Sequence, residues 1–191
     1  MNCTVYHTVR SISDKKSILK NAPFFCEDIN FKEWLGSGYY FWETFEKLAK
    51  WWGLVHYRHH GKHFTILKTT FDCPKEYILD LVSNTEQLRD IQIIVDALRQ
   101  KPEFKDSEFS AQFLIHLICK KAKGQFKAIR AYGQDSAKAK EITQYKYFFN
   151  PRSYFHGCPE IQICVKDLSV IKRPMEIVYS SEEDIDGIWT V

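Results

Sequence analysis

Glu160-Ile161-Gln162 opens a short apolar run that ends at Val165, and it sets a carboxylate and an amide two residues apart. On a strand, residues two apart face the same side. Glu160 can then pair with a developing positive charge and accept a proton, while Gln162 can hydrogen-bond a hydroxyl but cannot act as a base. A second group, Leu35-Gly36-Ser37-Gly38-Tyr39-Tyr40-Phe41-Trp42-Glu43, leads through a glycine turn into four consecutive aromatics, whose faces suit stacking on a flat ring. A third, Tyr6-His7-Thr8-Val9-Arg10, places an imidazole near a permanently charged guanidinium. Taken singly, His7 reads as a satisfied core or edge histidine and Tyr39 to Trp42 as plain core. Their joint spacing with Gly36, Gly38, Ala49 and Trp51 turns the reading toward a site.

His56-Tyr57-Arg58-His59-His60-Gly61-Lys62-His63 is the other conspicuous run. Imidazoles ligate metals, but the spacing matches no closed site and no nearby acid or cysteine completes one. We read it as an exposed basic loop able to touch phosphates. His156-Gly157-Cys158 reads as a turn. Tyr145 to Phe155 interleaves aromatic and basic residues, a mixture that can stack unpaired bases or pack as a hydrophobic loop over a sheet.

The elements that must position these groups follow from periodicity and caps. Cys3 to Val9 reads as a first strand, and Ser13 or Asp14 caps a short helix through Leu19. The aromatic run is a strand entering a helix that carries Phe45, Leu48, Ala49 and Trp52. Phe64 to Thr70 and Tyr77 to Val82 are strands. Asn84 or Thr85 caps one helix and Ser110 to Lys121 forms another; together they make a helical arm over about 84–123. Gln125 to Tyr132 and Ile161 to Val165 read as strands, Gly133 to Gln144 as a loop, and one more apolar run follows Met175.

At 191 residues, 45% hydrophobic and 15% aromatic, the chain can fill the core of one domain, taken as 1–191. No leader segment and no run of about 18 apolar residues is visible. Six scattered cysteines without a Cys-x-x-Cys pair argue for free thiols, no metal and a cytoplasmic setting. The net charge of +3 conceals an asymmetry. Setting aside Glu182, Glu183, Asp184 and Asp186 of the acidic tail (180–191) leaves 20 acids against 27 Lys and Arg, a body of +7. Such a body suits anionic partners, although a solvated basic surface has the same composition; the tail reads as a solvated terminus, a shield for the basic cleft or a partner site.

In order along the chain, these segments resemble the diphtheria-toxin-like, or PARP-like, branch of the ADP-ribosyltransferases. Tyr6-His7-Thr8-Val9-Arg10 with Ile18-Leu19 is similar to the family's His-Gly-Ser-Arg segment and the short helix after it. Gly36 to Glu43 resembles its Gly-x-Gly-Ile-Tyr-Phe-Ala-Asp segment, and Pro159 to Val165 the strand of its catalytic glutamate. There Gln162 stands at the glutamate's place, with Glu160 two residues earlier, and Thr8 replaces the family's glycine. The resemblance implies an α+β fold of two packed, mainly antiparallel β-sheets with flanking helices and a helical insertion. It implies that NAD⁺ is the co-substrate, held by His7, Thr8, Arg10, Gly38, Tyr39, Tyr40 and Trp51. Tyr40 and Trp51 would stack on nicotinamide, and Tyr40, Glu160 and Gln162 would be the catalytic residues.

Cleavage of the nicotinamide–ribose bond develops positive charge on the ribose, as in glycoside hydrolysis. The activity the resemblance implies is mono-ADP-ribosyl transfer to a macromolecule, and the basic body puts RNA or DNA ahead of protein as the acceptor. The resemblance and small size suggest an intracellular toxin or phage-defence effector, with an antitoxin as a partner and no membrane. A protein-directed transferase, an NAD⁺ glycohydrolase and a silent NAD⁺- or nucleic-acid-binding module are the competing expectations.

Overall fold

A computed structural model describes residues 1–29, 33–105, 107–133, 146–150 and 153–183. Apart from Gly133, the expected loop over 133–144 lies outside the described residues, as does most of the acidic tail. Strand β1 (Asn2–Arg10) leads to the short helix α1 (Lys15–Asn21), and β2 (Tyr39–Glu43) to α2 (Glu46–His56). Then come β3 (Phe64–Asp72), β4 (Ile78–Asp80), α3 (Thr85–Arg99), α4 (Ala111–Lys121) and β5 (Ala128–Tyr132). The chain continues through β6 (Lys146–Asn150), β7 (Ser153–His156), β8 (Ile161–Val165) and β9 (Glu176–Ser180). Three of the four described α-helices, α1, α3 and α4, start where a side chain dictates. Asp14, Asn84 and Ser110 each accept a hydrogen bond from a first-turn backbone N–H, supplying orphaned donors with a partner.

Seven strands form one mixed sheet in the order β4-β5-β8-β2-β1-β3-β9, and β6 and β7 pair as a separate hairpin. The fold is α+β. The sheet departs from the expected pair of packed sheets at its middle. Between β1 and β3 the register runs unbroken from Asn2↔Asp72 to Arg10↔Phe64, whereas β1 and β2 pair only at Val5↔Glu43 and Tyr6↔Trp42. This narrow seam keeps a three-stranded and a four-stranded half continuous. It opens beyond Tyr6 because the next carbonyl available on β2, that of Tyr40, accepts from the His7 ring (Nδ1···O 2.8 Å). Among the described residues the only parallel pair is β4 with β5. Parallel neighbours need a long crossover, and the helical arm supplies it.

Both faces of the sheet are covered. On the first, Val5, Val9, Phe41, Ile163 and Val165 pack with Ile18 and Ala22 of the α1 region and with Val170, Ile171 and Met175. On the second, Tyr6, Trp42, Phe64 and Ile66 lie under Leu48 and Ala49 of α2, and Leu79, Ile129, Ala131 and Cys164 under Leu35 and Ile115 of α4. Gly53 lets α2 approach β3: a Cβ there would stand 2.2 Å from the Phe64 ring. Of the arm, α4 buries Ile115, while α3 buries no residue. No described helix is long and apolar enough to cross a membrane.

Candidate functional site

Strands β8, β2 and β1 lie side by side, so the three segments singled out in the sequence converge although they span some 150 positions of chain. Trp42 pairs with Tyr6 on one side and with Gln162 on the other. Tyr40, Trp42, Gln162 and Thr8 all belong to the second face. Thr8 donates its hydroxyl to the Ala49 carbonyl of α2 at 2.8 Å. Gln162 is buried, and its Oε1 accepts from the Trp34 indole N–H at 2.7 Å. Glu160 is also buried. Its charge helps raise the pKa of the Cys158 thiol, after burial itself, and Cys158 packs with Tyr6 and Trp42. Trp51 joins through the Trp42 ring, edge-on at 6.2 Å between centroids.

Tyr40 ties the strand to its glycine turn. Its hydroxyl accepts from the Leu35 N–H at 3.1 Å and donates to the Gly36 carbonyl at 2.8 Å, and burial pushes the phenol's pKa far up. The Lys166 ammonium closes the same turn from just beyond β8, donating to the Leu35 and Ser37 carbonyls at 2.8 and 2.5 Å. Gly36 adopts φ +74°, and a Cβ on Gly38 would meet Cys164 Sγ at 2.5 Å. The glycines are thus required by a left-handed turn and by a close approach to β8.

His7 and Tyr39 are on the other face. The His7 ring lies 5.2 Å from Phe41, and Tyr39 contacts Phe25. Both ring nitrogens of His7 are used: Nδ1 donates to the Tyr40 carbonyl and Nε2 accepts from the Phe24 N–H at 3.0 Å. Burial lowers its pKa to about 4, against a smaller opposing effect of the Tyr40 bond, so the ring is neutral with its proton on Nδ1. Arg10 is exposed at the end of β1. The structure therefore gathers Thr8, Gly38, Tyr40, Trp51, Glu160 and Gln162 around the second face and sets His7 and Tyr39 on the other; Arg10 is in phase with Thr8 but lies exposed at the strand's end, beside Phe64.

Sequence reasoning missed three groups. Trp34 covers Gln162 from a loop with no periodic signal, and Lys166 follows the last residue of the β8 segment. The third is an ion triad on the first face. Arg130 holds Glu43 with two bonds of 2.6 and 2.9 Å and Asp80 at 3.0 Å. Burial opposes the Arg130 charge, but the two carboxylates outweigh it. Asp80 stays below the usual carboxylate range, because donors from Ser83, Val82 and Arg130 offset its burial. Beside the triad is a cavity of about 430 Å³ lined by Met1, Asp80, Ser83 and Arg130, and a second of about 360 Å³ lies between Leu19 and Met175. Neither is lined by Tyr40, Glu160 or Gln162. Among the described residues no cluster of His, Cys, Asp and Glu is arranged to hold a metal ion.

Tyr40 and Trp51, both partly buried, are side chains of the kind that stack a heteroaromatic ring, and a carboxylate and an amide such as Glu160 and Gln162 are of the kind that stabilise positive charge next to it. Compared with known proteins, the chain matches no family model, no curated protein and no solved structure.

Proposed function

We propose that the chain is an NAD⁺-dependent mono-ADP-ribosyltransferase whose co-substrate binds against the second face of the β8-β2-β1 strands. The observation that carries this reading is the convergence, from three distant segments, of Gln162, Tyr40 and Thr8 on the neighbouring strands β8, β2 and β1, with Glu160 just before β8. Tyr40 and Trp51 offer rings for nicotinamide, and Gln162 offers an amide for a ribose hydroxyl. Glu160 supplies negative charge where the ribose becomes cationic and a base for the incoming nucleophile. Trp34 must release Gln162 for the amide to serve the substrate. His7 acts by holding β1 and β2 apart, and binds ribose only if it gives up the Phe24 N–H.

The acceptor in this reading is a nucleic acid, RNA before DNA, and the cellular role is that of a toxin or defence effector kept in check by an antitoxin. The test is incubation of the purified protein with NAD⁺ and total cell extract, following nicotinamide release and labelled macromolecules together, with nuclease and protease treatments. Release that Glu160→Gln abolishes, with label lost to nuclease, is the expected result. Label lost only to protease moves the acceptor to protein, and free ADP-ribose without label makes the enzyme a glycohydrolase. NAD⁺ binding without release makes it a silent module, which the engagement of Gln162 by Trp34 and of His7 by backbone would then explain.

A further inference from the structure

The run from His56 to His63 has a defined place. Helix α2 ends at His56, a 3-10 turn spans Arg58–His60, and Gly61 at φ 67° turns the chain toward β3. His56, Arg58, His59, His60, Lys62 and His63 are all exposed. Arg10 joins them at the adjoining end of β1: it pairs with Phe64, and the Ser11 N–H donates to the His63 carbonyl. Among the described residues Arg10, Arg58 and Lys62 form no ion pair. Among the described residues, Ser181 meets Phe64 and the His63 ring and is followed in the chain by Glu182 and Glu183, of which Glu183 is engaged by Lys15.

The patch also has an aromatic side. The His56 imidazole stacks on the Trp52 indole one helical turn earlier, 3.5 Å between centroids and 18° between planes. Trp52 in turn leans on Trp42 at 6.1 Å, and Trp42 pairs with Gln162. A column of rings therefore runs from the candidate site to the basic surface. Cations that bind phosphates beside a ring that can carry a base are the two requirements for holding a single strand. The segment exposes no aliphatic side chain of the kind a lipid surface would take up.

We infer that the end of α2 is a binding surface for single-stranded nucleic acid, with Arg10, Arg58 and Lys62 on phosphates and His56, backed by Trp52, as a platform for a base. It deepens the proposed function, on which it rests only for the purpose of binding: here the acceptor strand would be held on its way to the second face. The test is fluorescence anisotropy with a labelled oligouridylate, and with its deoxy counterpart, across a salt series. Comparison is with the Arg58→Glu/Lys62→Glu double variant and with His56→Ala. For single strands each neutralised phosphate contributes about 0.7 to the slope of log K against log salt, so the double variant should lose about 1.4 of slope. His56→Ala should bind about fivefold or more weakly. Melting temperatures and nicotinamide release without acceptor should stay unchanged in both variants.

Preference for the ribo-oligomer identifies RNA as the strand held, while equal binding means that phosphates and bases alone are read; both support the surface. Unchanged affinity and slope in the variants, or binding of anionic vesicles as tight as that of the oligonucleotides, overturns it. If the oligonucleotide binds at this surface but NAD⁺ is never cleaved, the surface stands and the transferase reading falls. If NAD⁺ is cleaved and no strand binds, the reverse holds.

Discussion

Acidification should destabilise the protein through His7. In the folded chain the ring is buried, donates from Nδ1 to the Tyr40 carbonyl and accepts at Nε2 from the Phe24 N–H. A second proton would replace that acceptor with a donor pointed at another donor. The folded pKa is about 4 against an ordinary 6.5. Folding thus favours the neutral form: the contribution is complete above pH 6.5 and is lost as pH falls toward about 4. A difference of about 2.5 units at 1.36 kcal/mol each corresponds to about 3 kcal/mol in all, of which about 2 kcal/mol is gone by about pH 5. That is a large part of the 5–15 kcal/mol typical of a domain. Urea unfolding followed by tryptophan fluorescence across this range measures the loss. His7→Gln provides a control whose amide can donate and accept without titrating, so its stability should be flatter between pH 6.5 and 4. NMR titration of the wild-type imidazoles reads the His7 pKa directly, should the variant fold poorly. Parallel stability curves, or a His7 ring titrating at its ordinary value, would refute the reasoning.

Three further outcomes follow from particular contacts. Arg130→Ala leaves the Glu43 carboxylate, only 12% exposed, without its bidentate partner; breaking such a buried pair costs about 3–5 kcal/mol, which calorimetry should register as a melting temperature lower by about 10 °C. Gly38→Ala drives a methyl to 2.5 Å from Cys164 Sγ and 2.8 Å from the Val165 carbonyl, at a cost of about 1–3 kcal/mol. Because the Val165 contact is backbone, adding Cys164→Ala should restore little of the lost thermal stability. Tyr40→Phe removes the acceptor of the Leu35 N–H and should cost about 1–3 kcal/mol in a denaturant melt. It keeps the ring, so the proposed function expects NAD⁺ affinity by calorimetric titration to survive in Tyr40→Phe and to fall in Tyr40→Ala.

Local chemistry made most of the elements legible. Asp14, Asn84 and Ser110 announce their helices because each cap is satisfied within three residues of itself. The strands through Val5, Ile66 and Ile163 announce themselves by their apolar content. What could not be read is what depends on distant pairing. The Arg130–Glu43 contact joins residues 87 apart and the Trp34–Gln162 bond residues 128 apart, and nothing local to Trp34 or Arg130 distinguishes them from ordinary core and strand positions. The parallel pairing of β4 with β5 is likewise set by where the arm returns the chain, and no residue of Ile78–Asp80 specifies it.

The phase of a strand is the subtler case. His7 and Thr8 are neighbours in sequence, and on a strand neighbours point to opposite faces. Only one of them can share a face with the Tyr40 ring. The register Tyr6↔Trp42 and the contact of His7 with Phe41 assign that place to Thr8, leaving His7 to grip the Tyr40 carbonyl from behind. A resemblance in residue type and spacing carries no information about this choice, since a shift of one position preserves the motif and inverts its geometry. The same alternation leaves Gln162 in phase with Tyr40, because β8 pairs directly with β2 through Tyr40↔Cys164 and Trp42↔Gln162; Glu160 stands just before β8, where the Ile161 N–H donates to the Pro159 carbonyl, and its charge is felt by Cys158. The chemistry proposed for this chain therefore rests on β2 and β8, and β1 contributes to it through Thr8 and through the seam that His7 holds open.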